Sequence, residues 1–466
     1  MSVIPMRSDE RDDDTPARAS IPGSVREGPV CGWGRVCADG RERFSEQLEP
    51  ASSAAALSRG LGRSYGDSSL PSAPAREVLN TRLADRILAF DPDTRVLRAE
   101  AGLSLYALHR VMLRRGFFPP STPGTQYVTL GGMVASDVHG KGHHVDGCFG
   151  SGHVRALRIR VPDGRVLECS REQHSDLFRA TIGGMGLTGH ILEVEFTMQA
   201  IPSPWITSET RRIDSIDEFV ETIKETSEKW PYQVGWLDTF ATGEAMGRGI
   251  LDYGRWATAE EAGGKPLPYT RRLTVPFTFP EWVVSRPPMR AFSTLYYHQH
   301  VRKVRKQRLR HPDSFFYPLD TFLEWNRGYG RRGFTQYQCV LPSEAGLGAV
   351  RRFLELLTGR GGASFVSVIK DCGGQGIGVL SFPRAGITIA LDLALRDDTQ
   401  ALVDALNERV IAEGGRVYLT KDLLTRPEHF RAMEPRLDEW LAIRDRWDPE
   451  RKLRSAQSVR LFGDAP

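Results

Sequence analysis

Gly60-Leu61-Gly62-Arg63-Ser64-Tyr65-Gly66-Asp67, read GLGRSYGD, sets three glycines within seven residues. A dinucleotide fingerprint of the Rossmann type needs a strand before GxGxxG, a helix straight after it and an acidic residue ~20 positions on. Here the spacing is GxGxxxG, and the sequel DSSLPSAPAR is polar and broken by proline. Such a segment does not begin a helix. The Rossmann reading fails on context, and the glycines need another use.

Two further glycine-rich segments supply one. PGTQYVTLGGMVASDVHGKGHHVDGCFGSG, residues 123–152, holds eight glycines and the histidines His139, His143 and His144. ATIGGMGLTGHI spans 180–191. Glycine permits positive φ and close backbone approach, and clustered backbone amides bind anions without a helix. Three such loops, each flanked by short strands, suit an extended diphosphate threaded between two small α+β subdomains.

The rest of the chain sets bounds. Its 466 residues predict two or three domains. With 40% hydrophobic and 26% charged residues the composition is that of a globular protein with a sizeable core. A net charge of +4 is too weak to imply a nucleic-acid partner. The six cysteines form no CxxC pair and no zinc spacing, which reads as buried or idle thiols in a reducing compartment. Residues 1–28 are polar, carry Asp12-Asp13-Asp14 and do not resemble a signal peptide, so a disordered tail is expected. No stretch approaches the ~18 apolar residues of a membrane span. These features predict a cytoplasmic protein, at most membrane-associated, with the periplasmic face left open.

Up to about Ala200 short strands dominate. Val96 to Glu100 reads as a strand, and Leu105, Leu108, His109, Met112 and Leu113 as one helix face ended by Gly116. Leu157, Ile159 and Val161, a Pro-Asp-Gly turn, then Val166 and Leu167 predict a hairpin, and HILEVEFTMQAI a further strand. Beyond Ile201 helices are predicted over 213–228, from Ser343 to Leu357 and from Asp398 to Glu413, with strands in YQVGWLDTF and FTQYQCVLP and two or three around LSFPRAGITIALDLAL. Residues 265–312 cluster proline, aromatics and a basic run from Arg302 to Arg310. That segment is either a solvated surface or a mobile flap meeting an anionic or lipidic partner.

GLGRSYGD, PGT-x5-GGMVASDVHGKGHH and GGMGLTG resemble the flavin-binding loops of the FAD-linked oxidases of the vanillyl-alcohol oxidase, or p-cresol methylhydroxylase (PCMH), superfamily. FFYPLDTFLEWNRGYG, FTQYQCVLP, LSFPRAGITIALDLAL, GGRVYLTKD and MEPRLDEWLAIRDRWDPERKLRSAQSVRL look like the decaprenylphosphoryl-β-D-ribose 2-oxidases, the flavin half of a ribose-to-arabinose epimerase. The resemblance implies an α+β fold: a PCMH-type FAD-binding domain over 29–200, an antiparallel-sheet substrate domain over 201–415, and a segment 416–466 returning to the first. It implies FAD held by Arg59, Gly60, Leu61, Gly62, Arg63, Ser64, Tyr65, Gly66 and Asp67. Gly124, Thr129, Leu130, Gly131, Gly132, Ser136, Asp137, Val138, His139, His143, Ile191 and Tyr418 complete the pocket. No histidine stands in GLGRSYGD for covalent attachment, so the FAD is expected to be non-covalent.

Oxidation of a secondary alcohol by flavin needs charge stabilised at the flavin's pyrimidine end and a taker for the hydroxyl proton. Lys421 in YLTKD matches the family's active-site lysine, and His139 its pocket histidine; the general base stays open. Lys141, Trp236, Gln336, Gln338, Lys370 and Thr388 match substrate-pocket positions. Gln336 and Gln338 alternate on a strand and so share one face, which suits sugar hydroxyls or a solvent-facing polar surface. Lys370 in an apolar strand is unusual unless paired, and suits a substrate phosphate. No carboxylate-and-histidine set at ligand spacing accompanies the three loop histidines, so no metal is expected. Where mycobacterial members carry a cysteine this chain has Ala390, which puts covalent trapping by thiol-directed nitroaromatics in doubt.

The implied activity is oxidation at C2 of a polyprenyl-phosphoryl ribose, with a separate short-chain NAD(P)H reductase as partner, peripheral membrane contact and no nucleic acid. The alternative is a sister oxidase on a soluble alditol or aldonolactone, whose His-Trp-x-Lys motif is replaced here by Tyr418-Leu419-Thr420-Lys421.

Overall fold

A computed structural model describes residues 23–73, 77–300 and 304–465. Most of the polar tail, including Asp12 to Asp14, lies outside the described residues, as do Arg302 and Lys303 of the basic run. Structure begins earlier than predicted, because Val25–Cys31 (β1) pairs antiparallel with Cys37–Phe44 (β2). That register sets Cys31 opposite Cys37, and the two form a disulfide. The expectation of idle thiols is thus corrected for this pair, while Cys148, Cys169, Cys339 and Cys372 are free and buried.

With Leu57–Arg59 (β3) and Glu77–Asn80 (β4) these strands make a four-stranded sheet, β1-β2-β4-β3. No helix follows β3; GLGRSYGD runs on as turns. The second sheet has five antiparallel strands: Ile87–Asp91 (β5), Val96–Glu100 (β6), Val154–Arg160 (β7), Val166–Ser170 (β8) and His190–Thr197 (β9), ordered β5-β6-β9-β7-β8. Packed on it are Leu105–Met112 (α1), which gives way to a 3-10 turn ended by Gly116 at φ +82°, and Leu130–Ala135 (α2). Ser175–Thr181 (α3) adds Leu177 and Phe178 to the same core.

The third sheet is the largest. Ile206–Ile213 (β10), Tyr232–Leu237 (β11), Gly249–Trp256 (β12), Val304–Arg310 (β13), Phe334–Pro342 (β14), Ser367–Cys372 (β15), Gly386–Ala394 (β16) and Arg416–Val417 (β17) align as β13-β10-β12-β11-β15-β16-β14-β17, every pairing antiparallel. Of the two or three strands expected around LSFPRAGITIALDLAL, β16 lies within it and β15 and β17 flank it in the chain. Ile216–Thr226 (α4), Gly346–Gly359 (α6) and Thr399–Ala412 (α7) cover one face with Phe219, Phe353 and Leu406, all fully buried. Ile213 ends a strand instead of opening α4, because Ser215 accepts from the Glu218 N–H and caps the helix there.

The segment predicted as a mobile flap carries regular structure. Arg286–His298 (α5) starts with Pro287 and Pro288 in its first turn, and the basic run is the edge strand β13. Pro427–Met433 (α8), Leu437–Trp447 (α9) and Ala456–Phe462 (α10) close the chain. They tie back to the glycine-rich half: Trp440 donates to the Ala180 carbonyl at 2.9 Å, and Arg460 clamps Asp67 at 2.8 Å and Asp422 at 2.8 Å.

Candidate active site

Strand alternation builds the site. Along β14 the odd residues Tyr337, Cys339 and Leu341 enter the helix-covered core, so Gln336 and Gln338 face the other way. Register carries that parity across the sheet. Gln336 faces Asp392, Gln338 faces Ala390, Lys370 faces Thr388 and Trp236 faces Val368. One sheet face therefore gathers Gln336, Gln338, Lys370, Thr388 and Asp392 against the glycine segment 136–143.

The hydrogen bonds there fix a proton. Thr388 gives its hydroxyl proton to the Cys339 carbonyl at 2.8 Å, so its oxygen accepts from Gln338 Nε2 at 3.1 Å. The same amide reaches His139 Nε2 at 2.9 Å, and an amide nitrogen only donates. His139 Nε2 must then be a lone pair, and its proton sits on Nδ1. Burial, helped by Lys370, His143 and Lys421, holds the imidazole well below its usual range and so neutral. Nδ1 is buried and meets no acceptor among the described residues. His139 thus presents one N–H donor to whatever occupies the cleft.

Tyr418 and Phe382 pack on the His139 ring at 5.0 and 5.4 Å, and the Tyr418 hydroxyl donates to the Ser136 carbonyl at 2.8 Å. His143 accepts from the Gly373 N–H at 2.9 Å, and burial drops it to about 3. Lys421 follows β17, with Nζ 3.8 Å from the centre of the Tyr65 ring. Lys141 donates to the Phe315 carbonyl. Burial lowers Lys141 to about 7, with Asp252 opposing and Arg310 and Lys370 adding to the effect. Burial also pushes down Lys370, which lies near the thiols of Cys372 and Cys148. Lys370 lowers both Lys141 and Lys421, so the three ammonium groups share one field. Two carboxylates face them, and Asp252 is already paired with Arg310 at 3.1 Å. Basic groups outnumber acidic ones in this cluster.

Trp236 shares the sheet face, opposite Val368 and diagonal to Lys370, and α5 packs on it: Tyr296 meets its ring at 4.7 Å, and its indole N–H donates to the Phe365 carbonyl at 3.5 Å. Among the described residues, seven of the ten large exposed hydrophobics fall between Tyr269 and Phe322, so exposed apolar surface is concentrated in that stretch of the chain.

The FAD cradle can be tested on the loops themselves. A Cβ on Gly60 would lie 2.3 Å from Thr129 Oγ1, one on Gly66 1.8 Å from the Asp422 carbonyl oxygen, and one on Gly140 2.2 Å from that of Thr122. These glycines let three loops close on one another. Gln126 Nε2, Tyr127 OH, Arg63 Nε and His143 Nε2 are buried without a hydrogen-bond partner among the described residues. Arg63 sits between the rings of Trp33 and Tyr127, at 3.9 and 5.1 Å. Unspent polar groups along narrow, amide-rich loops fit an extended flavin dinucleotide.

Some predicted cofactor side chains are spent elsewhere. Arg59 is buried and donates to Glu42 at 3.1 Å, to Ser69 and to the Cys31 carbonyl, so only its backbone is left for a ligand. Asp137, at φ +39°, gives its carboxylate to Ser151 and Ser381. Asp67 belongs to Arg460. Thr129 caps α2 from the Gly132 N–H at 3.3 Å, and Leu130, Val138 and Ile191 are core. Gly124 has open space around it, as a backbone wall would. Asp392 was missed. An acid inside the apolar run GITIALDLAL carried the same signal as Lys370, since neither is buried unless partnered.

Comparison with known proteins gives the family. Residues 48–170 match the FAD binding domain family. The decaprenylphosphoryl-beta-D-ribose oxidase of Mycolicibacterium smegmatis is 34% identical over 87% of this chain and 88% of its own. An uncharacterised protein of Streptomyces coelicolor is 30% identical over 77% of this chain and all of its own. Mouse L-gulonolactone oxidase is 32% identical, but over 25% of this chain and 26% of its own. Fold and site define an FAD-dependent oxidoreductase acting on CH–OH groups. Within that class the chain belongs to the decaprenylphosphoryl-β-D-ribose oxidase family.

Proposed function

We propose that this protein oxidises the C2 hydroxyl of a polyprenyl-phosphoryl-β-D-ribose to the 2-keto sugar. This would be the first half of an epimerisation, completed by a separate short-chain NAD(P)H reductase, toward an arabinose donor for cell-wall or surface polysaccharide. The observation that carries the reading is the group of three basic side chains, Lys141, Lys370 and Lys421, within one another's field, in a chain that also exposes Tyr269, Phe277 and Trp282. A phosphate finds ammonium groups there, and a polyprenyl chain finds Tyr269, Phe277 and Trp282. A free alditol or lactone would use neither.

FAD, when bound, supplies the two-electron acceptor for the C2 hydride. Its holders are the backbone of Gly60 to Ser64, with Tyr418 and His139 at the ring. Lys421 places a cation where negative charge develops. His139 donates from Nδ1 and so orients a ligand oxygen. Gln338 and Thr388 hold that tautomer, while Lys370 and Lys141 bind the phosphate. In this reading the FAD domain is residues 29–200 plus the returning segment 416–466, and 201–415 is the substrate domain. The exposed apolar side chains also support contact with a membrane surface; among the described residues no helix is long and apolar enough to cross one. The Cys31–Cys37 disulfide supports a working compartment that does not reduce it.

Anaerobic mixing of the holoenzyme with farnesyl-phosphoryl ribose should bleach the oxidised flavin band, and free alditols and aldonolactones should not. Bleaching by xylitol or a lactone, with none by the lipid-linked ribose, would replace this reading with that of a soluble-alcohol oxidase.

A further inference from the structure

Asp392 has no place in the scheme above, yet it is fully buried beside it. Its carboxylate accepts from the Tyr329 hydroxyl at 2.9 Å and from the Gln336 amide. Its backbone N–H donates to Ser364 Oγ at 2.8 Å. The Tyr329 ring stacks on Phe334 at 4.1 Å, Phe334 meets the Tyr65 ring edge-on at 5.4 Å, and the Tyr65 ring lies under Lys421 Nζ. A chain of contacts therefore runs Asp392, Tyr329, Phe334, Tyr65, Lys421, crossing from the third sheet to the GLGRSYGD loop. Tyr65 is fixed from two further sides: its N–H donates to the Thr420 carbonyl at 3.1 Å, and Gly66 packs on the Asp422 carbonyl.

The charges around Lys421 explain why such a chain is needed. Lys370 on β15 and the neutral His139 on the glycine segment offer it no anion, and Tyr65 offers only a ring face. Asp422, next in sequence, is committed to Arg460. Burial and Lys370 both drive the Lys421 ammonium toward its neutral form, and Asp392 is the anion that opposes them. Two donors on the Asp392 carboxylate, and Lys421 itself, in turn resist its protonation, although burial still raises it.

We propose that Asp392 is a positioning residue for Lys421: its hold on Tyr329 and Gln336 fixes the Phe334 and Tyr65 rings beneath the ammonium, and sets the carboxylate as its opposing anion. This rests on the role given to Lys421 above, but its test needs no turnover. The neutral fraction of Lys421 can be read in holoenzyme and apoprotein from the pH dependence of its acetylation by acetic anhydride, scored by peptide mass spectrometry. Replacing Asp392 by Asn removes the opposing anion, so the midpoint should fall by about one pH unit, a roughly tenfold change in neutral fraction at fixed pH. Tyr329→Phe keeps the ring and the packing and strips one donor from the carboxylate, so the midpoint should move the same way by roughly two- to fivefold. In the holoenzyme the alkaline limb of the flavin-reduction profile should move to lower pH by the same amount, with the low-pH plateau retained. If Asp392→Asn does not fold, Tyr329→Phe alone decides the matter. A labelling midpoint unmoved in the variants that fold overturns the proposal, whatever substrate the enzyme takes.

Discussion

The two faces of the eight-stranded sheet are made by the same strands and differ only in parity. On β16 Ile387, Ile389 and Leu391 enter a core shared with α6 and α7, while Thr388 and Asp392 line the cleft. Both faces are buried, but by different means. The apolar face is filled by Phe353, Leu406 and their neighbours. The polar face is buried because Thr388, Gln338 and His139, or Tyr329, Asp392 and Gln336, satisfy one another. A residue on the first face serves stability; one on the second serves proton placement, and its cost in stability is met by its partners.

The contrast breaks most sharply under truncation. Ile389→Ala should cost about 2–5 kcal/mol in denaturant unfolding and leave the flavin-reduction rate of the folded fraction unchanged. Lys370→Met, two strands from Gln338 on the polar face, should leave stability unchanged or raised while weakening phosphorylated substrate. If Lys370→Met destabilises as much as Ile389→Ala, the lysine is structural and the contrast fails.

A subtler break lies at Thr388. Thr388→Val removes the acceptor that orients Gln338 and so frees the His139 tautomer. The limiting rate of flavin reduction should fall by roughly tenfold, with a stability change of about 1 kcal/mol. Stopped-flow kinetics beside urea unfolding separates the two effects.

Proton linkage sharpens the comparison further. Lys141 is held down to about 7 in the folded state and titrates at about 10.4 when unfolded. Below pH 7 both states carry the charge, and the folded state alone bears its burial. Between the two values the folded state sheds the proton and the cost declines. Lys141→Met should therefore raise the ligand-free unfolding midpoint at pH 6 by a few degrees, with the gain shrinking toward pH 10. A gain independent of pH would mean improved packing only. The smallest effect is chemical: denatured, unreduced protein should titrate four thiols, and six after reduction, since Cys31 and Cys37 are joined. Six before reduction would return Cys31 and Cys37 to the thiols first expected.

Much of this was legible in the sequence because it is local. Alternation in FTQYQCVLP gave β14 and its polar face, and the polar, proline-broken sequel of GLGRSYGD excluded a Rossmann helix. What was not legible depends on register between distant segments. Cys31 meets Cys37 only because β1 and β2 pair as they do. Arg59 looked like a ligand residue because Glu42, its partner, lies on a different strand. Asp392 needed Gln336 opposite it, and Asp67 needed Arg460 from the last helix. Residues 265–312 read as a flap because proline and charge mask a helix start and an edge strand.

The division of labour across the polar face has one direct test, anaerobic stopped-flow bleaching of the flavin by farnesyl-phosphoryl ribose over a range of concentrations. Lys421→Met should lower the limiting rate by about 100-fold or more, as loss of a charge-stabilising group does, with half-saturation little changed. Lys370→Met should raise the half-saturating concentration and leave the limiting rate within about threefold, as loss of uniform binding does. If both variants bleach and saturate like the wild type, the basic cluster is not the substrate site.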